Sequence, residues 1–238
     1  MSAKNSTDEV LNPAQIVETL ERLCNRIGER FPDSGLKHVC AQLLAISRQA
    51  KSKQQWISEP LVWLRVLSVV VIVLIIVSLV GTLTITEAPE IRAVGLFQII
   101  QALESGLNAL VLIGATIFFL ITLELRVKRH RVLVSIRELR AISHIIDMHQ
   151  LTKDPERAFA RGKRTTSSPK DRFTAFELSR YLDYCSEMLS LTAKIGVIYV
   201  QNFHDAVAFA SVNEIETLTN ALSRKIWQKI MIVHSMYN

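Results

Sequence analysis

The most constraining feature of this sequence is an uncharged run from Val66 to Thr86, VLSVVVIVLIIVSLVGTLTIT, which is almost wholly branched aliphatic. A helix of about 20 such residues rises about 30 Å, the thickness of the hydrocarbon core of a bilayer. A helix of this length in a soluble protein normally keeps a polar face. The run therefore predicts a first transmembrane span over about 64–85.

A second apolar block extends from Ala93 to Leu123, and Glu104 is its only charged residue. The segment between the two blocks, TEAPEIRAVG, contains Pro89, which favours a helix end and a turn. Because this connection is short, we expect the second span, over about 103–124, to be an antiparallel neighbour of the first.

Basic residues crowd the outer flanks of both spans and nearly avoid the connection between them. Those outside the spans are Arg48, Lys51, Lys53 and Arg65, then Arg126, Lys128, Arg129, Arg131, Arg137 and Arg140. The connection has only Arg92, beside Glu87 and Glu90. The positive-inside rule then predicts a multi-pass protein of the inner membrane with both termini in the cytoplasm. Basic flanks beside anionic headgroups also account for the net charge of +6, so no nucleic acid partner is expected.

The segment before the spans, 1–60, is predicted to form an N-terminal cytoplasmic helical hairpin. Asn12-Pro13 is a helix start signal, and FPDSG at 31–35 is a break. Apolar residues recur at helical spacing on each side of the break: Ile16, Leu20, Leu23, Cys24 and Ile27, then Leu36, Val39, Leu43, Ile46 and Ala50.

The segment after the spans, 126–238, is predicted to be a cytoplasmic helical region that carries a basic loop at 151–172. The second span has no Gly or Pro beyond it until Pro155, so we expect its helix to continue to about Gln150. Two further helices follow, with a turn near Asn202–Asp205. Their apolar stripes are Tyr181, Tyr184, Met188, Leu191, Ile195 and Ile198, then Ile215, Leu218, Leu222, Ile226, Ile230 and Val233. Such stripes pack against a partner helix, in the same chain or in another copy as a coiled coil.

Catalytic and metal-binding motifs are not apparent in the chain. His144, Asp147 and His149 form His-x-x-Asp-x-His, but His149 points about 200° from Asp147 on a helix, so a shared metal is disfavoured. RGKRT at 161–165 lacks the first glycine of a phosphate-binding loop. Three separated cysteines, Cys24, Cys40 and Cys185, indicate neither a disulfide framework nor a zinc site, and reduced thiols are expected. No cofactor is expected.

Polar residues form one face at the start of the second span. Steps of three and four place Gln101, Glu104, Ser105 and Asn108 together on a helix. An ionisable residue in a membrane segment usually faces protein or water. Two interpretations stay open: Glu104 rests at headgroup level, or copies of this face line the mouth of a pore.

The sequence therefore predicts an all-α fold, a two-span transmembrane helical hairpin with a cytoplasmic bundle built from N- and C-terminal helices. The expected function is that of a non-enzymatic, oligomeric scaffold or signalling and effector subunit, with a small oligomeric ion channel as the alternative. The expected partners are the lipid bilayer, other copies of the chain and a cytosolic protein bound through the C-terminal helices. In layout alone, the chain is similar to the two-span effector domains of bacterial defence systems. It lacks the Gly-Met-Asn of two-span magnesium channels.

Overall fold

The computed structural model describes residues 11–85, 96–155, 166 and 173–237, and these residues form helices and no strand. The all-helical prediction is confirmed. The helices are α1 (Pro13–Arg30), α2 (Gly35–Arg48), α3 (Ala50–Ser58), α4 (Val62–Ile85), α5 (Leu96–Leu151), α6 (Ala175–Val200) and α7 (Ala206–Tyr237). The chain divides into two compact units, one made of Met1–Ser58 with Arg129–Asn238 and the other of Glu59–Lys128.

Helix α1 of the first unit begins at the predicted start signal. The Asn12 side chain accepts a hydrogen bond from the Ala14 amide at 3.0 Å, and Pro13 occupies the first helical position, where its missing N–H costs nothing. The predicted stripe of α1 lies against the core, with Ile16, Leu20 and Leu23 among its buried members.

The second predicted helix is divided into two by the structure. We expected one stripe from Leu36 to Ala50, but α2 ends at Arg48 and Ala50 opens α3. At the break, the Gln49 amide donates to the Ile46 carbonyl, three residues back, so the last turn of α2 tightens. No Gly or Pro marks this break, which is why the sequence pattern missed it.

Helices α6 and α7 form the longest contact within the first unit. Thr174 and Glu177 make a reciprocal capping box at the start of α6, which satisfies two amides that the helix leaves unpaired. Both predicted stripes are buried except for the half-buried Leu218. The turn between the helices covers residues 201–205, as the sequence predicted.

One expectation about the cysteines is wrong. Cys24 of α1 and Cys40 of α2 are joined by a disulfide, with 5.7 Å between their Cα atoms, whereas Cys185 is free and buried. The two bonded cysteines are 16 residues apart in sequence and become neighbours only because α1 and α2 turn back on each other. Spacing rules that look for close Cys pairs therefore could not find them.

The second unit contains the two apolar segments. Two helices of the described chain are long and apolar enough to cross a membrane, judged by length and composition. Their side chains are mostly exposed rather than packed within the unit. The predicted turn at Pro89 and most of the basic loop at 151–172 lie outside the described residues.

Candidate interaction surfaces

The predicted polar face at the start of the second span lies on α5. Gln101, Glu104, Ser105 and Asn108 are all exposed, and helical spacing keeps them on one side. A Cβ atom built on Gly106 meets no atom within 4 Å, so this turn of α5 is open to its surroundings. The structure therefore presents the four polar side chains outward and together.

An ion-pair cluster that the sequence analysis missed links α4 to α5 at the other end of the spans. Two guanidinium nitrogens of Arg65 lie 3.3 and 3.4 Å from the two carboxylate oxygens of Glu124. Lys128, one turn beyond on α5, lies 2.9 Å from the same carboxylate. The Glu124 and Lys128 side chains are largely buried. The signal was present in the sequence, since Arg65 is the charge just before the first apolar run and Glu124 the charge just after the second.

A second ion pair ties α5 to the start of α7. The Arg129 guanidinium donates to both oxygens of Asp205, at 3.1 and 2.7 Å, and the carboxylate also accepts from the Ala208 amide at 2.9 Å. The bonds from Arg129 hold the pKa of Asp205 below its ordinary value. Asp205 thus caps the start of α7.

The predicted His-x-x-Asp-x-His group does not converge. His144 is exposed, Asp147 accepts a hydrogen bond from Gln150 at 2.6 Å, and His149 packs its ring against Gly35 of α2. Burial lowers the pKa of His149, with a smaller contribution from Lys153. Nowhere in the described parts of the chain do three or more His, Cys, Asp or Glu residues come together as a possible metal site.

The C-terminal end of α5 is instead held by a lysine from α7. Lys229 donates to the Gln150 carbonyl at 2.7 Å and to the Lys153 carbonyl at 3.3 Å. An ammonium group at a helix C-terminus donates hydrogen bonds to carbonyls that the helix leaves unpaired. It also interacts favourably with the negative end of the helix dipole. Burial lowers the pKa of Lys229. This polar group is structural: it fastens α7 to α5.

The last turns of α7 expose large apolar side chains on the side of the helix that carries Arg224. Trp227 is 55% exposed and Met231 59% exposed, although the opposite side of the same helix is buried. From Thr217 to Asn238 the sequence contains no Asp or Glu, while Arg224 and Lys225 are exposed. Helical spacing places Arg224, Trp227 and Met231 on one side of α7, and we name these three side chains the α7 patch.

A patch of this composition is typical of a binding surface. Trp and Arg are enriched among the residues that contribute most to binding between proteins. Helical periodicity had identified the buried stripe of α7 but gave no reason to single out its outer side. The signal that could have found the patch is the acid-free stretch that ends the chain.

Comparison with protein families, with curated proteins and with solved structures finds no match for this chain.

Proposed function

We propose that the chain is a non-enzymatic inner-membrane protein that works as an oligomeric scaffold or as a signalling and effector subunit. In this proposal, α4 and the apolar part of α5 form a two-span transmembrane hairpin, and the remaining helices form a cytoplasmic bundle with both termini inside. The asymmetry of basic residues supports this orientation, since Arg92 is the only Lys or Arg in the connection.

The observation that carries the scaffold proposal is the α7 patch. The core of the first unit is complete without Trp227 and Met231, because the buried stripe of α7 already meets the other helices. Exposure of these two apolar side chains to water is unfavourable, and a partner that covered them would gain the free energy of burying them. Arg224, on the same side of α7, favours a cytosolic partner with acidic residues around an apolar segment, and it disfavours a symmetric contact between two identical patches.

An ion channel is the second candidate, and one observation favours it. Gln101, Glu104, Ser105 and Asn108 are exposed on a single face of α5. If several copies turned this face toward a common axis, the carboxylates would concentrate cations at the outer mouth of a pore. If the same face met headgroups, it would carry no current.

Purified full-length protein in lipid distinguishes the two candidates. The scaffold proposal expects an oligomer of defined size by native mass spectrometry that passes no current in planar bilayers at any applied voltage. Single-channel currents that Glu104→Gln reduces would instead establish the pore. A strictly monomeric protein that is electrically silent would contradict both.

The role of the α7 patch is tested by a paired substitution. Trp227→Ala with Met231→Ser should leave the thermal unfolding of the protein nearly unchanged, because both side chains are more than half exposed. The same variant should lose binding to an acidic, apolar helical peptide measured by fluorescence anisotropy. Thr217→Ala, an exposed change on the same helix, is the control that should retain binding. If both variants bound the peptide equally well, the α7 patch would not be its binding site.

A further inference from the structure

The two cysteines of the disulfide between α1 and α2 differ in burial. Cys40 is fully buried, whereas Cys24 is partly exposed at the edge of the core. The distance of 5.7 Å between their Cα atoms lies within the range of about 4.4–6.8 Å that disulfides adopt without backbone movement. An incoming thiol could therefore reach the bond from the side of Cys24 alone.

The two helices are also held together by contacts that do not involve sulfur. Arg48 of α2 lies 2.8 Å from Glu21 of α1, close to one side of the cysteine pair. On the other side, the Lys37 side chain lies against Gly28, 3.6 Å from where a Cβ atom would be. The two contacts lie on either side of the cysteine pair along the helices. They would therefore keep the two thiols close enough to form the bond again after it is reduced.

We propose that Cys24 and Cys40 form a site of reversible thiol–disulfide exchange, whose substrates are small thiols such as glutathione or a dithiol reductant. This inference goes beyond the scaffold proposal and does not depend on it. A bond that is accessible from one side, and whose partners remain aligned when reduced, can be opened and closed without unfolding the unit.

The exchange proceeds in two balanced steps. A thiolate of the reductant attacks the Cys24 sulfur, a mixed disulfide forms there, and Cys40 leaves as a thiolate that takes up a proton. A second thiolate of the reductant then attacks the reductant sulfur of the mixed disulfide and releases Cys24, which is also protonated. The protein gains two electrons and two protons, and the two thiols of the reductant become a disulfide. Oxidation by glutathione disulfide is the reverse.

The third cysteine provides an internal control. Cys185 is fully buried in α6, and burial raises its pKa to about 12, so it stays an unreactive thiol at neutral pH. Modification of Cys185 in the same experiment would show that the unit has unfolded. A reagent that modifies Cys24 and spares Cys185 reports exchange in the folded protein.

The experiment uses full-length protein in lipid nanodiscs, treated with dithiothreitol or with glutathione disulfide, alkylated with iodoacetamide and analysed by mass spectrometry. After reduction we expect Cys24 to be alkylated well before Cys40, with Cys185 unmodified. After oxidation neither Cys24 nor Cys40 should be alkylated. Oxidation should also shift the unfolding equilibrium of the first unit toward the folded state, on the order of 100-fold for a cross-link that closes a loop of this size.

Two single substitutions test the asymmetry. Cys40→Ala leaves Cys24 without its partner, so glutathione disulfide should form a stable adduct at Cys24. Cys24→Ser leaves Cys40 buried, so the same treatment should give no adduct. Far-ultraviolet circular dichroism of both variants verifies that each is folded, and Cys24→Ala replaces Cys24→Ser if the hydroxyl disturbs packing.

Three results would overturn the proposal. One is a native protein in which both thiols stay free under glutathione disulfide. Another is a disulfide that dithiothreitol reduces only after urea has unfolded the unit and exposed Cys185. The third is an adduct that forms on Cys40 of the Cys24→Ser variant as quickly as on Cys24 of the Cys40→Ala variant.

Discussion

The two units of this protein place the same kinds of side chain in opposite environments. In the first unit, Leu182 of α6 is fully buried, whereas in the second unit Leu74 of α4 is 62% exposed. The first unit buries its stripes against other helices of the chain. The second leaves its valines, leucines and isoleucines outward, where water would be unfavourable and lipid would be favourable. The first unit therefore buries its apolar side chains within itself, whereas the second leaves them available to lipid or to another chain.

Charged residues also lie in different surroundings in the two units. Asp205 in the first unit is enclosed by Arg129 and a helix amide. In the second unit, Glu124 and its partners Arg65 and Lys128 lie at one end of the apolar helices rather than along them. Asp205 thus completes a helix cap in the first unit and Glu124 lies where an apolar run stops in the second, whereas Glu104 lies within the second apolar block.

The largest expected effect comes from placing a charge in the core of the first unit. Leu222 is buried in the stripe of α7, so Leu222→Asp should destabilise the first unit by several kcal/mol, through an unpaired carboxylate and a lost leucine. Glu216→Ala, off that stripe, should cost less than about 0.5 kcal/mol. Denaturant unfolding monitored by circular dichroism measures both. Equal midpoints for the two variants would show that the stripe is not the core.

The same substitution made in each unit sharpens the comparison. Leu182→Ala should destabilise the protein by about 2–5 kcal/mol, because a cavity opens in a packed core. Leu74→Ala, at an exposed position of the helix that we propose to span the membrane, should cost under about 1 kcal/mol. Thermal unfolding in nanodiscs compares them directly. If Leu74→Ala were the more damaging, α4 would be packed against protein rather than lipid.

Acid should weaken the link between α5 and α7 by a smaller amount. The pKa of Asp205 is lower in the folded protein than in the unfolded chain, so its contribution is present above the unfolded value, near pH 4, and is lost as pH falls through the folded value. Arg129 is partly exposed, so solvent screening keeps this contribution to about 1 kcal/mol.

Asp205→Asn should accordingly lower stability at pH 7 and flatten the change in stability between pH 5 and pH 3. Urea unfolding at several pH values measures this. The matched control is Glu187→Gln, which breaks the more exposed pair with Arg26 and should change stability by less than about 0.5 kcal/mol. If Asp205→Asn left the loss of stability at low pH unchanged, that loss would have to come from other carboxylates.

The smallest expected effect concerns the polar face of the second unit. If Glu104 rests among headgroups, Glu104→Gln should leave both stability and transport assays nearly unchanged. Asn108→Leu, one turn deeper on the same face, should be tolerated or stabilising where that position meets lipid. We expect this silent outcome in proteoliposome flux measurements. A change in cation flux by either variant would favour the channel.

Sequence alone could predict much of this fold because its strongest signals are local. The uncharged run after Arg65, the cap at Asn12 and the stripe through Leu222 each depend on residues within one helix. The absence of Gly and Pro before Pro155 also predicted that α5 extends unbroken to about Gln150, and the helix ends at Leu151.

The features that escaped prediction depend on contacts between helices. The Cys24–Cys40 bond arises from two helices that turn back on each other, and the Glu124 cluster arises from two that meet at their ends. The break between α2 and α3 at Gln49 contains no Gly or Pro, so the sequence does not indicate it. Exposure of Trp227 follows from which sides of α7 the other helices cover, which a helical wheel of one segment does not specify.

The orientation of the chain in the membrane is the central claim, and thiol accessibility tests it most directly. In a background in which Cys24, Cys40 and Cys185 are replaced by alanine, single cysteines are introduced as Lys4→Cys, Ala88→Cys and Met236→Cys. Intact cells are then treated with a membrane-impermeant maleimide. We predict labelling of the cysteine at position 88 and protection of those at positions 4 and 236 until the membrane is permeabilised. Labelling of either terminal cysteine in intact cells, or protection of the one at position 88, would contradict a two-span protein with both termini in the cytoplasm.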